Sequence, residues 1–369
     1  MKQDALNFGA GSPTVKRVSK ETLNHRGLVE LVSGLDAYAH TAEAYRRAYE
    51  ALGIDLINRV PLENAPPPTP PGERRTHSRN ADYDLTALGV YDTASRRVWP
   101  CREPDDLWRF DVAGLRYEQL VTPVPHPVSA ADARARQAAL GEIGLYYPML
   151  YTTLFMWPVE TFGWELFMLA AAEAPARFAE HVLKPCAAKS TELVAELART
   201  DLPFVFVHDD LASATGPVLA PAWYDEFIFP LYPAILAPAR GAGKKVILVA
   251  DGNMTAFLPR ITELFDGFMC ENPATPLEAV IEYFGRPGKF LIGGIETVRL
   301  AIGAPAEVRD MVLQLHAKTR HLPGFAMASC GGLHGDIPLA NLEAYFDARA
   351  AIGVTPRDWR TRCRKEETP

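Results

Sequence analysis

Cysteine is scarce in this chain. Five residues (Cys101, Cys186, Cys270, Cys330 and Cys363) stand among 369, with no CxxC spacing. A sparse, odd count excludes a disulfide framework and paired-thiol zinc modules, and it points to reduced thiols. The opening stretch, MKQDALNFGAGSPTVKR, lacks the apolar core of a secretory signal, so a cytoplasmic location is expected. Long apolar runs are missing as well. The longest, LYYPMLYTTLFMWPVE from Leu145 to Glu160, carries two prolines and falls short of the roughly 20 residues a membrane helix needs. It is expected to form core or pocket wall, and no membrane association is expected. There is no basic block: 38 Lys and Arg oppose 45 Asp and Glu, for a formal charge of −7, which argues against a nucleic-acid partner. No internal repeat recurs, and no GxGxxG turn follows an early strand.

What is present is 48% hydrophobic content, enough for one large α/β domain or two smaller ones, and the strand–helix order below favours a single domain over residues 1–369. The stretch SKETLNHRGLVELVSGLDAYAHTAEAYRRAYEALG (19–53) predicts helix, with Ser19 as cap and Gly53 as stop. IDLINRVP predicts a short strand closed by Pro61. Consecutive prolines over 65–80 exclude regular structure and predict an exposed loop. LTALGVYDT and RRVWP predict a small antiparallel pair, so 65–100 is expected to be a loop and small-strand insertion. After residue 200 apolar strands alternate with amphipathic helices: PFVFVHDD, KKVILVAD, DGFMCE, KFLIGGIE and GFAMASC are the strands. Apolar strands without polar alternation predict a parallel sheet covered on both faces. The number of units and the chain length favour a single (β/α)8 TIM barrel with an N-terminal helical elaboration.

In such a barrel the chemistry lies at the carboxyl ends of strands. Those ends read His208-Asp209-Asp210, Asp251-Gly252-Asn253, Cys270-Glu271-Asn272, Gly294-Ile295-Glu296 and Cys330-Gly331-Gly332-Leu333-His334. A single terminal Asp is a turn residue or a helix cap. Five consecutive polar ends call for a shared pocket, because converging carboxylates raise one another's pKa and suit proton transfer or metal binding. Asp251, Glu271 and His334 are the candidate catalytic groups. His208, Asp210, Asn253, Glu296 and Tyr151 are the candidate substrate-binding groups. Asp209 and Asp210 point to opposite faces, so one faces the axis and the other is left to cap a helix. The bland alternatives are a satisfied core histidine at 208, a cap at Asn253, a surface histidine at 334 and aromatic packing for Tyr151.

The stretches VFVHDDLASATGPVLAPAWYDEFIFPLYPAILAPARGAGKKVILVADGN, FLIGGIET and GGLHGDIPLANLEAYFDA resemble the uroporphyrinogen decarboxylase superfamily, which also holds corrinoid-linked methyltransferases. The resemblance implies a (β/α)8 barrel. It also implies either a methyltransferase-type enzyme that demethylates a small methylated substrate, with a corrinoid protein or similar carrier as acceptor, or a carboxy-lyase acting on a non-porphyrin acid. A barrel that only binds is the third reading. Two departures matter. The first sixty residues lack the Arg-rich motif of the porphyrinogen decarboxylases. Val249-Ala250-Asp251 replaces the His-x-Cys pair of the thiol-activating relatives, so of the zinc ligands only Asp251 and Cys330 match by position. A thiolate zinc is therefore not expected.

Overall fold

The computed structural model describes residues 18–64, 101, 103–115 and 129–363. The insertion expected over 65–100 lies outside these residues. The strands in chain order are β1 (Val18–Lys20), β2 (Leu56–Ile57), β3 (Leu145–Tyr146), β4 (Met149–Leu150), β5 (Phe204–His208), β6 (Ala212–Ser213), β7 (Gly216–Pro217), β8 (Lys245–Ala250), β9 (Gly267–Cys270), β10 (Phe290–Ile295) and β11 (Phe325–Ser329). Nine of them form one sheet in the order β3-β2-β1-β11-β10-β9-β8-β5-β4, and β6 and β7 make a small antiparallel hairpin. Every pairing in the large sheet is parallel. The strands after residue 200 stand where the sequence places them, with helices between them.

The sheet curls. Alternate residues of its strands meet in one apolar cluster: Val18, Leu56, Tyr147, Phe204, Phe206, Ile247, Val249, Ile292, Ala326 and Ala328. The residues between them, such as Val205, Val207, Val246 and Leu248, belong to a second cluster shared with the helices outside. The two edges of the sheet, β3 and β4, are separated in the chain only by Tyr147 and Pro148. Tyr147 N–H donates to Ile57 O at 2.9 Å on one side, and Phe206 N–H donates to Pro148 O at 3.4 Å on the other. Among the described residues no helix is long and apolar enough to cross a membrane.

The N-terminal prediction needs correction. Residues 19–53 are not one helix: Val18–Lys20 is a strand, and helices follow at Arg26–Ser33 and Thr41–Leu52. The cap is His25, whose Nδ1 accepts Leu28 N–H at 2.9 Å, and Gly34 ends the first helix in a left-handed conformation. Gly53 ends the second, as expected. Ser19 is held in the strand by Asp55, whose carboxylate accepts its N–H at 3.0 Å, and by pairing with Met327. Helical propensity loses here to a partner more than 300 residues away.

That partner strand is reinforced by a buried ion pair. Glu21 and Arg349 are both fully buried and meet at 2.8 Å. Ser329 donates to the same carboxylate through its N–H (3.1 Å) and its hydroxyl, and Tyr345 OH donates to it as well. Arg349 also donates to Ser19 Oγ. The β1 segment, β11 and the helix Leu339–Ala351 are thus joined at one point.

Candidate active site

Alternation along each strand decides what enters the mouth of the curled sheet. Phe204 and Phe206 face inward, and so does His208. Val249 faces inward, and so does Asp251 two residues on. Met269 leads to Glu271, Ala328 to Cys330 and Val18 to Lys20. Five polar side chains therefore stand on the inward face at the carboxyl ends of β5, β8, β9, β11 and β1.

His208 is buried and stacked on the Tyr151 ring, with ring centroids 4.6 Å apart. Its Nδ1 lies 2.6 Å from Tyr151 O, which fixes that nitrogen as a donor, and its Nε2 lies 3.2 Å from Asp210 Oδ1. Burial alone would lower its pKa. Asp210 and Asp251 outweigh that and lift it to about 10, so the ring is an imidazolium at neutral pH. Burial works the other way on Asp210, but the imidazolium holds its carboxyl below the usual range.

Asp209 points outward and serves the fold. Its carboxylate accepts N–H bonds from Leu154 (3.0 Å), Phe155 (2.9 Å) and Met156 (2.8 Å) at the start of helix Met156–Glu173, and Tyr232 OH donates to it at 2.6 Å. It caps a helix that precedes it in the chain. Burial raises its pKa to about 6 in spite of these four donors.

The loop after β8 accounts for its own backbone donors. Asp251 N–H donates to Asp210 Oδ1 (2.8 Å), Gly252 N–H to Glu271 Oε2 (2.9 Å), Asn253 N–H to Ser213 O (2.8 Å) and Met254 N–H to Thr275 Oγ1 (2.9 Å). Gly252 has φ +80°, and a Cβ there would stand 2.2 Å from Ala212 O. Only glycine lets the loop lie against the β6–β7 hairpin. Asn253 accepts Thr255 N–H at 3.1 Å, a local cap for the turn that follows.

The side chain of Asp251 takes no part in this scaffold. It makes no hydrogen bond among the described residues, and its carboxylate approaches His208 and Asp210 so that one donor atom of each lies within 4.8 Å of the others. Solvent reaches it, yet it is ringed by protein atoms. Burial and the charge of Asp210 push its pKa to about 7, with Glu271 adding to the rise and His208 and Lys20 opposing it. This is a carboxylic acid that exchanges its proton near neutral pH.

The remaining candidates are dispersed. Gly293 and Gly294 have φ of +138° and +93°. They break the alternation of β10, and Glu296 lines a separate cleft of about 290 Å³ with Arg299, Met311 and Leu315. His334 is half-buried in its loop, where burial lowers its pKa and Asp336 and the Gly331 carbonyl partly restore it; neither Asp251 nor Glu271 acts on it.

Cys330 Sγ accepts Asn272 N–H (3.2 Å) and donates to Cys270 O (3.2 Å), and burial lifts its pKa to about 12. The inward position a ligand histidine would need holds Val249, packed in the apolar interior. These residues do not fit a thiolate zinc, which requires deprotonated sulfur and about three ligands. The three groups His208, Asp210 and Asp251 have the spacing to accept a cation, and the His208 ring would ligate it through Nε2 only after giving up its proton. Elemental analysis of protein purified without chelator is expected to find far less than one zinc per chain, unchanged in Cys330→Ser. Stoichiometric zinc lost in that variant would show that the thiol ligates after all.

Lys20 is the residue that sequence reasoning missed. It is 1% exposed, and the charges of Glu21, Cys330 and Asp251 act on it. The signal was the alternation in Val18-Ser19-Lys20, hidden by the helical pattern that follows it.

The family model described as "Uroporphyrinogen decarboxylase (URO-D)" matches residues 162–352. A search of curated proteins finds no match. Among solved structures, a sugar phosphate isomerase/epimerase from Parabacteroides distasonis aligns with a TM-score of 0.40 at 11% identity, covering 94% of this chain and 99% of its own. A D-psicose 3-epimerase with D-tagatose from Clostridium cellulolyticum aligns at 0.38 and 11%, covering 62% and 85%. A xylose isomerase-like TIM barrel protein from Mycobacterium smegmatis in complex with magnesium gives 0.38 and 11%, covering 93% and 100%. Likeness at this level carries nothing about activity.

Proposed function

Because the chain belongs to the uroporphyrinogen decarboxylase family, we propose that it is a cytoplasmic enzyme of the methyltransferase type, which demethylates a small methylated substrate at the mouth of a closed eight-stranded barrel. In that reading residues 145–150 are one strand bent at Pro148, pairing with β2 through its first half and β5 through its second. The observation that carries the functional reading is Asp251: an acid with a pKa near 7, whose side chain makes no hydrogen bond among the described residues, at the carboxyl end of β8.

Breaking the carbon–oxygen bond of a methyl ether, or the carbon–nitrogen bond of a neutral methylamine, requires that the leaving oxygen or nitrogen not depart as a strong base. Protonation by a placed acid removes that barrier and is worth about 10²- to 10⁴-fold. Asp251 delivers the proton. His208 and Asp210 hold it in place: Asp210 anchors its backbone N–H, and the imidazolium limits how far its pKa rises. Glu271 anchors the next residue of the same loop. Tyr151, stacked on His208, lines the entrance. The methyl acceptor, a corrinoid on a partner protein or a similar carrier, supplies the nucleophile.

The family's own description favours a second reading, a carboxy-lyase acting on a non-porphyrin acid, with Asp251 giving its proton to carbon. One experiment separates the two. Methoxylated aromatic acids and methylamines are incubated with the protein and free cob(I)alamin, while methyl transfer and carbon dioxide release are followed together. Methyl transfer that depends on the protein supports the first reading. Carbon dioxide without methyl transfer replaces it with the second. Neither product from any compound, with intact folding, overturns both.

A further inference from the structure

Among the described residues burial lowers the pKa of three lysines, Lys20, Lys244 and Lys289, and two of them are anchored. Lys244 Nζ donates to Thr200 O (2.5 Å) and Leu202 O (2.6 Å), and Lys289 Nζ donates to Thr262 O (2.5 Å) and Phe265 O (2.7 Å). Lys20 is the most buried of the three, at 1% exposure, yet it makes no hydrogen bond and no ion pair among the described residues. An ammonium taken out of water without acceptors for its three donors is costly and needs a reason.

The neighbouring acids do not supply one. Glu21 follows Lys20 in sequence but points to the opposite face, where Arg349, Ser329 and Tyr345 occupy its carboxylate. Cys330 is hydrogen-bonded to the backbone around Cys270 and Asn272. Asp251 is the remaining acid acting on Lys20, and it does not bond to it. Lys20 shares the inward face of Val18, so its ammonium lies in the mouth, on the β1 side, with Asp251 across from it on β8.

We infer that Lys20 binds the carboxylate of the substrate, so that the enzyme acts on a small carboxylate-bearing compound whose reacting group then faces Asp251. The inference rests on the reading of this mouth as the substrate site. Lys20 is a compact point charge, suited to a single carboxylate oxygen, and desolvation strengthens the attraction. Burial pulls its own pKa below the usual ammonium range because Glu21, Cys330 and Asp251 offset only part of that desolvation. A positive charge at this position also selects against methylamines without an acid group.

Calorimetric titration of the full chain with benzoate, and with benzamide as its uncharged counterpart, tests this. Wild type is expected to bind benzoate the more tightly. Lys20→Met should weaken benzoate by about tenfold or more and leave benzamide unchanged, while Lys20→Arg keeps benzoate within about threefold. Thermal melts of both variants establish that they are folded. Equal binding of benzoate by wild type and Lys20→Met, or no preference for benzoate over benzamide, overturns the inference and leaves Lys20 as a counter-charge to Asp251. The Asp251 reading fails separately. Asp251→Asn is expected to retain benzoate binding and lose turnover; if turnover persists while Lys20→Met loses benzoate, the general acid is wrong and the carboxylate site stands.

Discussion

Asp251→Asn is expected to lower turnover by about 10² or more while moving stability by less than about 1 kcal/mol, solvent screening of the exposed carboxylate included. The asymmetry follows from the loop. Its conformation is held by the backbone N–H groups of Asp251 and Gly252, which donate to the Asp210 and Glu271 carboxylates, and by Gly252 lying against Ala212, none of which involves the Asp251 side chain. Asparagine therefore preserves the turn and removes only the exchangeable proton and the charge. The sign of the stability change is also set. The folded pKa, about 7, lies above the usual carboxylate value, so the folded state binds a proton that the unfolded state has released. Between the two values stability falls as pH rises, and above about 7 the whole penalty is present. Asp251→Asn escapes it. The variant should match wild type near pH 4 and be slightly more stable above pH 7. In wild type, turnover should decline as pH rises through about 7, when the acid is lost, and that decline should be missing from the residual activity of the variant. Melts across pH and a pH–rate profile check both. A variant with unchanged turnover, or one less stable at high pH, would mean that Asp251 is a turn residue only.

Arg349→Met should be the most destabilising of the changes considered, at about 3–5 kcal/mol, because it leaves the Glu21 carboxylate buried without its cation. Both side chains are fully buried, and Glu21 lies on the outer face of the sheet between β1 and β11. Ser329 and Tyr345 still donate to it, but neutral donors do not offset a buried charge. The double variant Glu21→Gln with Arg349→Met should recover most of the loss, since glutamine keeps an oxygen for the Ser329 N–H and carries no charge. Denaturant melts of the three proteins check this. Equal losses in the single and double variants would show that packing around Arg349, rather than its charge, is what matters. The same joint carries Lys20, the residue beside Glu21, so Arg349→Met should also weaken benzoate binding, although Arg349 touches no part of the mouth.

Much of the site was legible from strand ends alone. His208, Asp210, Asp251 and Glu271 are polar residues that stop apolar strands, and period-two alternation carries them to one side of the sheet. Asn253 was legible as an alternative, and it caps its own turn. Glu296 and His334 were harder, because glycines precede both. Once φ turns positive at Gly294 or Gly331, alternation no longer predicts where the next side chain points. Lys20 was hidden for a different reason: three residues of strand are too few to show a period beside a long helical pattern.

By itself the sequence determined the apolar strands after residue 200, the helices between them, and the carboxylates and imidazole that end those strands. These follow from local rules, since burial on two faces demands unbroken apolar runs and turn chemistry demands Gly, Asn and Asp. The tertiary structure alone decided that Val18–Lys20 is a strand, that Asp209 rather than Asp210 turns out to cap a helix, and that Lys20, with no hydrogen bond or ion pair among the described residues, is buried on the inward face of its strand. Each of these depends on residues distant in the chain: Ala326 to Ala328 for the strand, Leu154 to Met156 for the cap, and the charges of Asp251 and Cys330 for the lysine. Local preferences are weak, of the order of 1 kcal/mol per residue, and a paired strand or a buried charge outweighs them.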